Sequence, residues 1–406
     1  MTAADAPLEG IRVCDFTTFL SGPFATQILG DLGATVLKIE SPDGDMTRRL
    51  PPYFLGNDSA YYLQVNRNKH SIVLDLKDPE AREIARDLAT SCDIVMENFR
   101  PGVLERLGLT YDELSARSPG LIMCSITGFG QDGPYRDRPA YDMIVQAMAG
   151  TMSLTGEPDG RPVRAGVPVG DLGGGLYGVI AVLAALEQRR RTGQGSYLDV
   201  SMLDAQLSFL SYQAAYHLMS GTLPAPQGRG HDSIPTYRTF TAGDGNDVVV
   251  AANTERMWSE MCRAIDREDL LDDPRFEDNA ARWDHRHELW PELDAAFARF
   301  PAQLACDRLL ERSVPAAVVN DLGAALRNPH VEHRRMVWEL HDDIGNRVEV
   351  VGDPIRRSGH HAEQPARFPP GLGADTTEVL REELGLDEAT LERLAASGAI
   401  GGNHDG

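Results

Sequence analysis

The chain has 406 residues, 42% of them apolar, and a formal net charge of −22, enough for two or three domains and a sizeable core. So acidic a chain repels nucleic acid and anionic membranes, so neither is expected as a partner. No apolar run reaches the ~20 residues of a membrane span, Met1–Gly10 has no signal-type pattern, and Cys14, Cys92, Cys124, Cys262 and Cys306 form no C-x-x-C pair. A soluble, cytoplasmic protein with buried free thiols and no metal site is expected.

Ile11–Phe16 is suited to a buried strand, Gly22-Pro23 opens a helix, and Ala34–Glu40 is a second strand. These make a βαβ unit. Glu40 stands where a dinucleotide fold carries its ribose-binding acid. The first turn, however, reads D-F-T-T-F-L-S-G-P rather than G-x-G-x-x-G, so no nicotinamide site is expected. Ser71–Leu76 is a strand, Asp78-Pro79 caps a helix running to Ser91, and Asp93–Met96 is a strand. Thr110-x-x-Glu113 is a capping box, and Leu121–Thr127 is the next strand. This alternation implies a doubly wound, mostly parallel sheet, whose ligands sit beyond the carboxyl ends of the strands. Glu97-Asn98-Phe99-Arg100 and Gly128-Phe129-Gly130 both follow strands. Ten cations from Lys38 to Arg106, among them Arg48, Arg67, Lys69 and Lys77, could hold a phosphate-bearing small molecule or be solvated surface charges.

Pro139–Gly150 is a short amphipathic helix. Arg164–Gly175, R-A-G-V-P-V-G-D-L-G-G-G, leads into apolar Leu176–Leu186 and reads as a helix entered from a glycine-rich turn, ending at Arg189-Arg190-Arg191. Asp171 falls near its N-terminus, among free backbone N–H groups and the positive end of the helix dipole. Each glycine weakens the helix by ~1 kcal/mol. Either Asp171 is an N-cap and the glycines pack the helix against a neighbour, or Asp171 is a reactive carboxylate whose partner needs the space. Ser196–Met202 is a strand with one buried face, and Asp204 to Met219 one long helix. Leu223–Pro235, rich in Pro, Gly and charge, marks a domain boundary. Asp247–Ala252 and Ala316–Asn320 as strands, with helices Thr254–Ile265 and Pro301–Arg312, make a smaller α+β unit ending near Pro329. Met336–Leu340 and Arg347–Val351 form a hairpin, His360-His361 is a solvated pair in irregular chain, and helices Asp375–Leu384 and Asp387–Ser397 follow.

A set of stretches in fixed order adds to this reading. They are L-E-G-I-R-V-C-D-F at Leu8–Phe16, G-A-T-V-L-K-I-E at Gly33–Glu40, N-R-N-K-H-S-I-V-L-D-L-K at Asn66–Lys77 and E-N-F-R-P-G-V-L-E-R-L-G at Glu97–Gly108. A-Y-D-M-I-V-Q-A at Ala140–Ala147, the G-D-L-G-G-G run and T-G-Q-G-S-Y-L-D-V-S-M-L-D-A at Thr192–Ala205 complete it. Together they resemble the class III coenzyme A transferases of CaiB/BaiF type, which also include formyl-CoA transferase and α-methylacyl-CoA racemase, over nearly the whole chain. The resemblance implies an α/β fold: a Rossmann-like, doubly wound, mostly parallel large domain from both chain ends (1–222 and 330–406), with a smaller α+β domain (223–329) inserted, in an interlocked homodimer. It implies transfer of CoA from an acyl-CoA donor to a free carboxylic acid, with the thioester as substrate and no permanently bound cofactor. In family transferases the carboxylate aligned with Asp171 is the nucleophile. It forms an acyl anhydride and then a CoA thioester, and the adjacent glycines would leave room for the anhydride. Carried over by position, the CoA site would comprise Phe19, Leu20, Leu74, Lys77, Asn98, Phe99, Arg106 and Met202, with Lys77 and Arg106 on the phosphates.

Departures from the family pattern sharpen this. Racemases carry a His in an A-G-H-D stretch where this chain has P-A-Y-D, with Tyr141 at that position. With a reference pKa of about 10, Tyr is a poor base, so 2-methylacyl-CoA racemisation is only the alternative reading. Formyl-CoA:oxalate transferases carry Gln where Leu20 stands and a four-glycine loop where this chain has G-R-G-H-D-S-I-P at Gly228–Pro235. Oxalate is therefore not the expected acceptor. Contacts to the acid would come from loops around Gly128–Asp137 and Gly228–Tyr237, where His231 and Tyr237 are candidates beside their plainer readings as a solvated His and a packed Tyr.

Overall fold

The computed structural model describes residues 6–357 and 366–401. The chain falls into two compact units: Met1–Thr151, Arg164–Met219 and Glu332–Gly406 make the first, Met152–Val163 and Ser220–Val331 the second.

The first unit runs β1 (Arg12–Asp15), α1 (Ser21–Asp31), β2 (Thr35–Glu40), a short hairpin β3 (Phe54–Leu55) and β4 (Asp58–Ser59), α2 (Ala60–Val65), β5 (Lys69–Val73), α3 (Pro79–Ser91) and β6 (Ile94–Glu97). It continues with α4 (Val103–Leu107), α5 (Tyr111–Arg117), β7 (Ile122–Thr127), α6 (Asp142–Met148), α7 (Val169–Thr192), β8 (Ser196–Ser201), α8 (Met202–Phe209) and α9 (Ser211–Ser220). Six strands form one parallel sheet in the order β5-β2-β1-β6-β7-β8. β7 is buried along its whole length, as a strand covered on both faces must be. One face packs Cys14, Leu37, Val95 and Met123 against Ala81, Ile84, Ala85 and Leu88 of α3. The other packs Val13, Met96, Cys124 and Ile126 against Ala25 and Leu29 of α1 and Val179 and Val182 of α7.

Local signals in the sequence act as expected at several ends. Asp78 accepts from the Glu80 and Ala81 N–H groups with Pro79 in the first turn of α3, and Thr110 with Glu113 closes the capping box of α5. Other boundaries move. β5 starts at Lys69 and stops at Val73, because the Lys69 ammonium finds partners inside the fold, 3.2 Å from Asp15 and 2.9 Å from Asn66 Oδ1. The single helix expected from Asp204 to Met219 is two helices, α8 capped by Ser201 and α9, broken where Ser211 takes φ 45°. By length and composition α7 could cross a membrane, contrary to the expectation that no segment would; here its Gly173–Val182 side lies in the interior of the unit.

The second unit has a three-stranded antiparallel sheet in the order β11-β10-β9. It contains β9 (Tyr237–Thr241), β10 (Asp247–Ala251), α10 (Glu255–Ala264), α11 (Asn279–Asp284), α12 (Arg286–Phe297), α13 (Ala302–Glu311), β11 (Ala316–Val318) and α14 (Leu322–Leu326). Its core stacks Phe240 on Phe297 at 4.2 Å, with Val248, Val250, Trp258 and Leu309 around them. α11, α12 and β9 were not foreseen; α12 carries Pro291 in its interior.

After α15 (Pro329–His333) the hairpin of β12 (Val337–His341) and β13 (Arg347–Val351) forms as expected. α16 (Thr376–Leu384) and α17 (Glu388–Ser397) then return to the first unit, where Leu380, Leu391 and Leu394 join the α3 layer. The free edge at β5 is met by the tail. Leu74 bridges Ile400, the Asp75 N–H donates to Ala399 O, and the Gly401 N–H donates to Val73 O. His360-His361 lie outside the described residues. All five cysteines are buried and unpaired.

Candidate active site

Asp171 is not the N-cap of α7. Pro168 holds that position and offers no side-chain acceptor, so Asp171 sits at the third helical position. Another carboxylate does the capping: Asp142 Oδ1 accepts from the Gly170 N–H at 2.8 Å and the Asp171 N–H at 3.4 Å. Its Oδ2 accepts from Gln146 Nε2 at 2.7 Å, and Gln146 Oε1 accepts from the Ala165 N–H at 2.9 Å. Asp142 stands in the first turn of α6, so one short helix is pinned to the head of a long one through a 9% exposed acid.

The Asp171 carboxyl accepts no hydrogen bond among the described residues. Burial, and then the charge of Asp142, pushes it up to about 7. A desolvated carboxylate without donors is more basic, hence a better nucleophile, than a solvated one. The Tyr61 phenol, from α2, is raised by burial and by the carboxylates of Asp171, Asp45 and Asp142. Sequence reasoning missed Tyr61 altogether and saw Asp142 only as a letter in A-Y-D. The one available signal for Asp142 was an acid at the start of a short helix.

The glycines turn out to be packing devices. A Cβ on Gly170 would stand 2.6 Å from Gln206 Nε2, on Gly173 2.6 Å from Phe209, on Gly174 2.9 Å from Met202 and on Gly175 2.7 Å from the Ser21 carbonyl. The space they leave is already filled by this chain, so room for an anhydride is not what they supply.

The carried-over positions all follow carboxyl ends of parallel strands. Phe19 lies in the turn after β1 with φ 63°, its ring 5.6 Å from that of Tyr141. Leu20 is the buried residue preceding α1. Asn98, after β6, accepts from the Thr18 N–H at 2.9 Å and donates to the Thr18 carbonyl at 2.8 Å, which joins the β1 and β6 turns. Phe99 packs on the core cluster that contains Leu74. Leu74 itself is fully buried, and its N–H donates to the Glu40 carbonyl at 2.9 Å. Met202, at the start of α8, is buried against Gly174 in the first turns of α7. Lys77 and Arg106 are exposed.

The basic region breaks into two kinds of cation. Lys38, Arg48, Arg67 and Lys69 are buried in ion pairs with Asp45, Glu40, Asp31 and Asp15, so they are neither a phosphate site nor solvated charges. Lys77, Arg100 and Arg106 remain at the surface. A cavity of ≈330 Å³ opens beyond β6, β7 and β8, between Arg100, Tyr111, Ser125, Arg136 and Tyr197. At its floor burial pushes the Glu97 carboxyl up to about 7.

Comparison with known proteins gives the family. The family model for CoA-transferase family III matches residues 8–376. Succinyl-CoA:glutarate CoA-transferase of Mus musculus is 40% identical over 397 residues, 97% of this chain and 90% of that protein. Acetyl-CoA:oxalate CoA-transferase of Acetobacter aceti is 38% identical, over 94% of this chain and 97% of its own length. The crystal structure of a CAIB/BAIF family protein from Brucella suis superposes with a TM-score of 0.84 at 36% identity, covering 93% of this chain and 99% of that one. A doubly wound parallel sheet matched at these levels across nearly the whole chain makes it a member of CoA-transferase family III.

Proposed function

We propose that this chain moves CoA from an acyl-CoA to a free carboxylic acid with Asp171 as the covalent carrier. The observation that carries the reading is the Asp171 carboxyl, pushed up to about 7 and, among the described residues, left without a hydrogen-bond donor at a capped helix head. An Asp171 oxygen attacks the thioester carbon, the C–S bond breaks, and CoA leaves as thiolate with an aspartyl–acyl anhydride behind it. The thiolate then attacks the aspartyl carbonyl of the anhydride and expels the donor acid as a carboxylate, giving an aspartyl–CoA thioester. The acceptor carboxylate repeats the two steps in reverse and frees Asp171. Covalent catalysis divides one exchange into four acyl transfers with no net proton change.

Phe19, Leu20, Leu74, Lys77, Asn98, Phe99, Arg106 and Met202 are the proposed CoA contacts in the larger unit, with Lys77 and Arg106, both exposed, free to meet phosphates. The relatives are named for succinate, glutarate and oxalate, so a small dicarboxylate is the proposed acceptor class, and oxalate belongs in the test panel despite Leu20. Racemisation is not favoured, because the side chain at its His position is the ring of Tyr141, packed on Phe19. The proposed assembly is a homodimer. α7, α8 and α9 expose Ile180, Leu207, Phe209, Leu218 and Met219, apolar side chains that a second copy of the chain would cover.

Hydroxylamine trapping with succinyl-CoA is expected to mark Asp171 in a peptide map, and Asp171→Ala to abolish exchange while leaving CoA binding. Full transferase activity in that variant would end the proposal. Deuterium wash-in at the α-carbon without an acceptor acid would support the racemase instead.

A further inference from the structure

The turn joining β1 to α1 holds a non-glycine residue, Phe19, in the left-handed region at φ 63°. Such a conformation persists only when the surroundings over-determine it, and here side chains grip one peptide after another. Asp15 Oδ1 accepts from the Thr17 N–H at 2.8 Å, and Asn98 takes both polar groups of Thr18. Lys38 Nζ, reaching up from β2, donates to the Thr17 carbonyl at 2.8 Å and to Asp45 Oδ2 at 3.0 Å. Asp45 Oδ1 in turn stands 3.5 Å from the Phe19 nitrogen and is fixed by Thr47, whose N–H and hydroxyl both donate to it.

Lys38 is wholly buried and Asp45 2% exposed. A buried ion pair is seldom needed for stability, since apolar side chains of the same volume often serve as well. What an apolar pair could not do is hold the Thr17 carbonyl and the Phe19 N–H at once. Beyond the turn, the Phe19 ring meets Tyr141, and Tyr141 precedes the Asp142 that caps the Asp171 helix.

We propose that Lys38, with Asp45 as counter-ion, is a positioning residue for the transfer reaction, fixing the Thr17–Phe19 turn and, through the Phe19–Tyr141 ring pair, the wall against which the acyl-CoA is placed. The inference rests on the acyl-carrier reading of Asp171.

Lys38→Met removes the ammonium and keeps the chain length. Arg67→Met is the control: an equally buried cation, paired at 2.6 Å with Asp31 at the far end of α1. Both variants lower the melting temperature. Only Lys38→Met is expected to raise the KM for acyl-CoA, by about tenfold for the loss of one charged hydrogen bond, with the KM for the acceptor acid unchanged. Calorimetric binding of CoA itself needs no turnover and is expected to weaken by a similar factor. Wild-type CoA binding and KM in Lys38→Met, or equal changes in the Arg67→Met control, overturn the inference. Should Lys38→Met not fold, Asp45→Asn keeps an acceptor for Thr47 while loosening Lys38. A smaller rise in the acyl-CoA KM is then expected, and an unchanged KM overturns the inference. Failure of the parent reading shows separately, as wild-type protein with no trappable acyl adduct.

Discussion

Asp142→Asn isolates one charge beside the proposed nucleophile. The amide keeps the oxygen that receives the Gly170 N–H and deletes the negative charge that, after burial, holds Asp171 up at about 7. A neighbouring like charge at a partly exposed site is worth on the order of 1.4 kcal/mol, or about one pH unit. A carboxyl titrating about 7 is roughly one-tenth ionised at pH 6 and half ionised at pH 7. One unit lower, it is about half and nine-tenths ionised. Single-turnover formation of the trapped acyl-enzyme, followed from pH 5 to 9, is therefore expected to rise about two- to fivefold at pH 6 in Asp142→Asn and to fall slightly above pH 8, where the carboxylate is fully ionised in both forms but less basic in the variant. The substitution has a cost: an Asn Nδ2 facing Gln146 Nε2 sets donor against donor, and an amide flip would take Gln146 Oε1 from the Ala165 N–H. That loses about 1 kcal/mol. An acid limb near pH 4 in the wild type, or one that stays put in the variant, would refute the account of Asp171.

Asp171→Asn should stabilise the fold at pH 8. The folded carboxyl is raised to about 7 from ~3.9 unfolded, so the penalty is absent below pH 4, grows between the two values and is complete above 7. A gain of ~1–3 kcal/mol in urea melts at pH 8, vanishing at pH 4, is the expected result, and equal stability at pH 8 contradicts the burial argument. Gly175→Ala gains ~1 kcal/mol of helix propensity but drives a Cβ to 2.7 Å from the Ser21 backbone oxygen, an overpacking of ~1–3 kcal/mol, so it is expected to unfold at lower urea. Gly178→Ala crowds the end of the Ile126 side chain at 2.8 Å, which can rotate, and meets Cys124 Sγ at an ordinary 3.7 Å, so its midpoint should fall less; the opposite order would show that α7 is not clamped at Gly175.

What was legible in the sequence was what local chemistry decides. Asp78-Pro79 and Thr110–Glu113 announce their helices because the capping groups lie within three residues of each other. The strands of the parallel sheet announce themselves because burial on both faces makes them apolar runs. At the proposed site one residue, the proposed carrier Asp171, was legible. Its environment was not, because Asp142, Tyr61 and Asp171 come from three separate helices and meet only in the fold. The buried cations were misjudged for the same reason: Lys38, Arg48, Arg67 and Lys69 look like surface charge until the sheet brings an acid to each. The break at Ser211 carries no Gly or Pro to mark it, and Pro291 inside α12 argues against the helix it occupies.

The zipper between β5 and the tail sets an order of events for folding. Leu74 is paired with Ile400, a strand partner made more than 300 residues later. At ~5–20 residues per second, the ribosome takes roughly 15–65 s to supply it. Until then one border of the sheet stands open, with its backbone groups available to any passing strand. Removing the last turn of chain after Ser397 would make that vulnerable interval permanent.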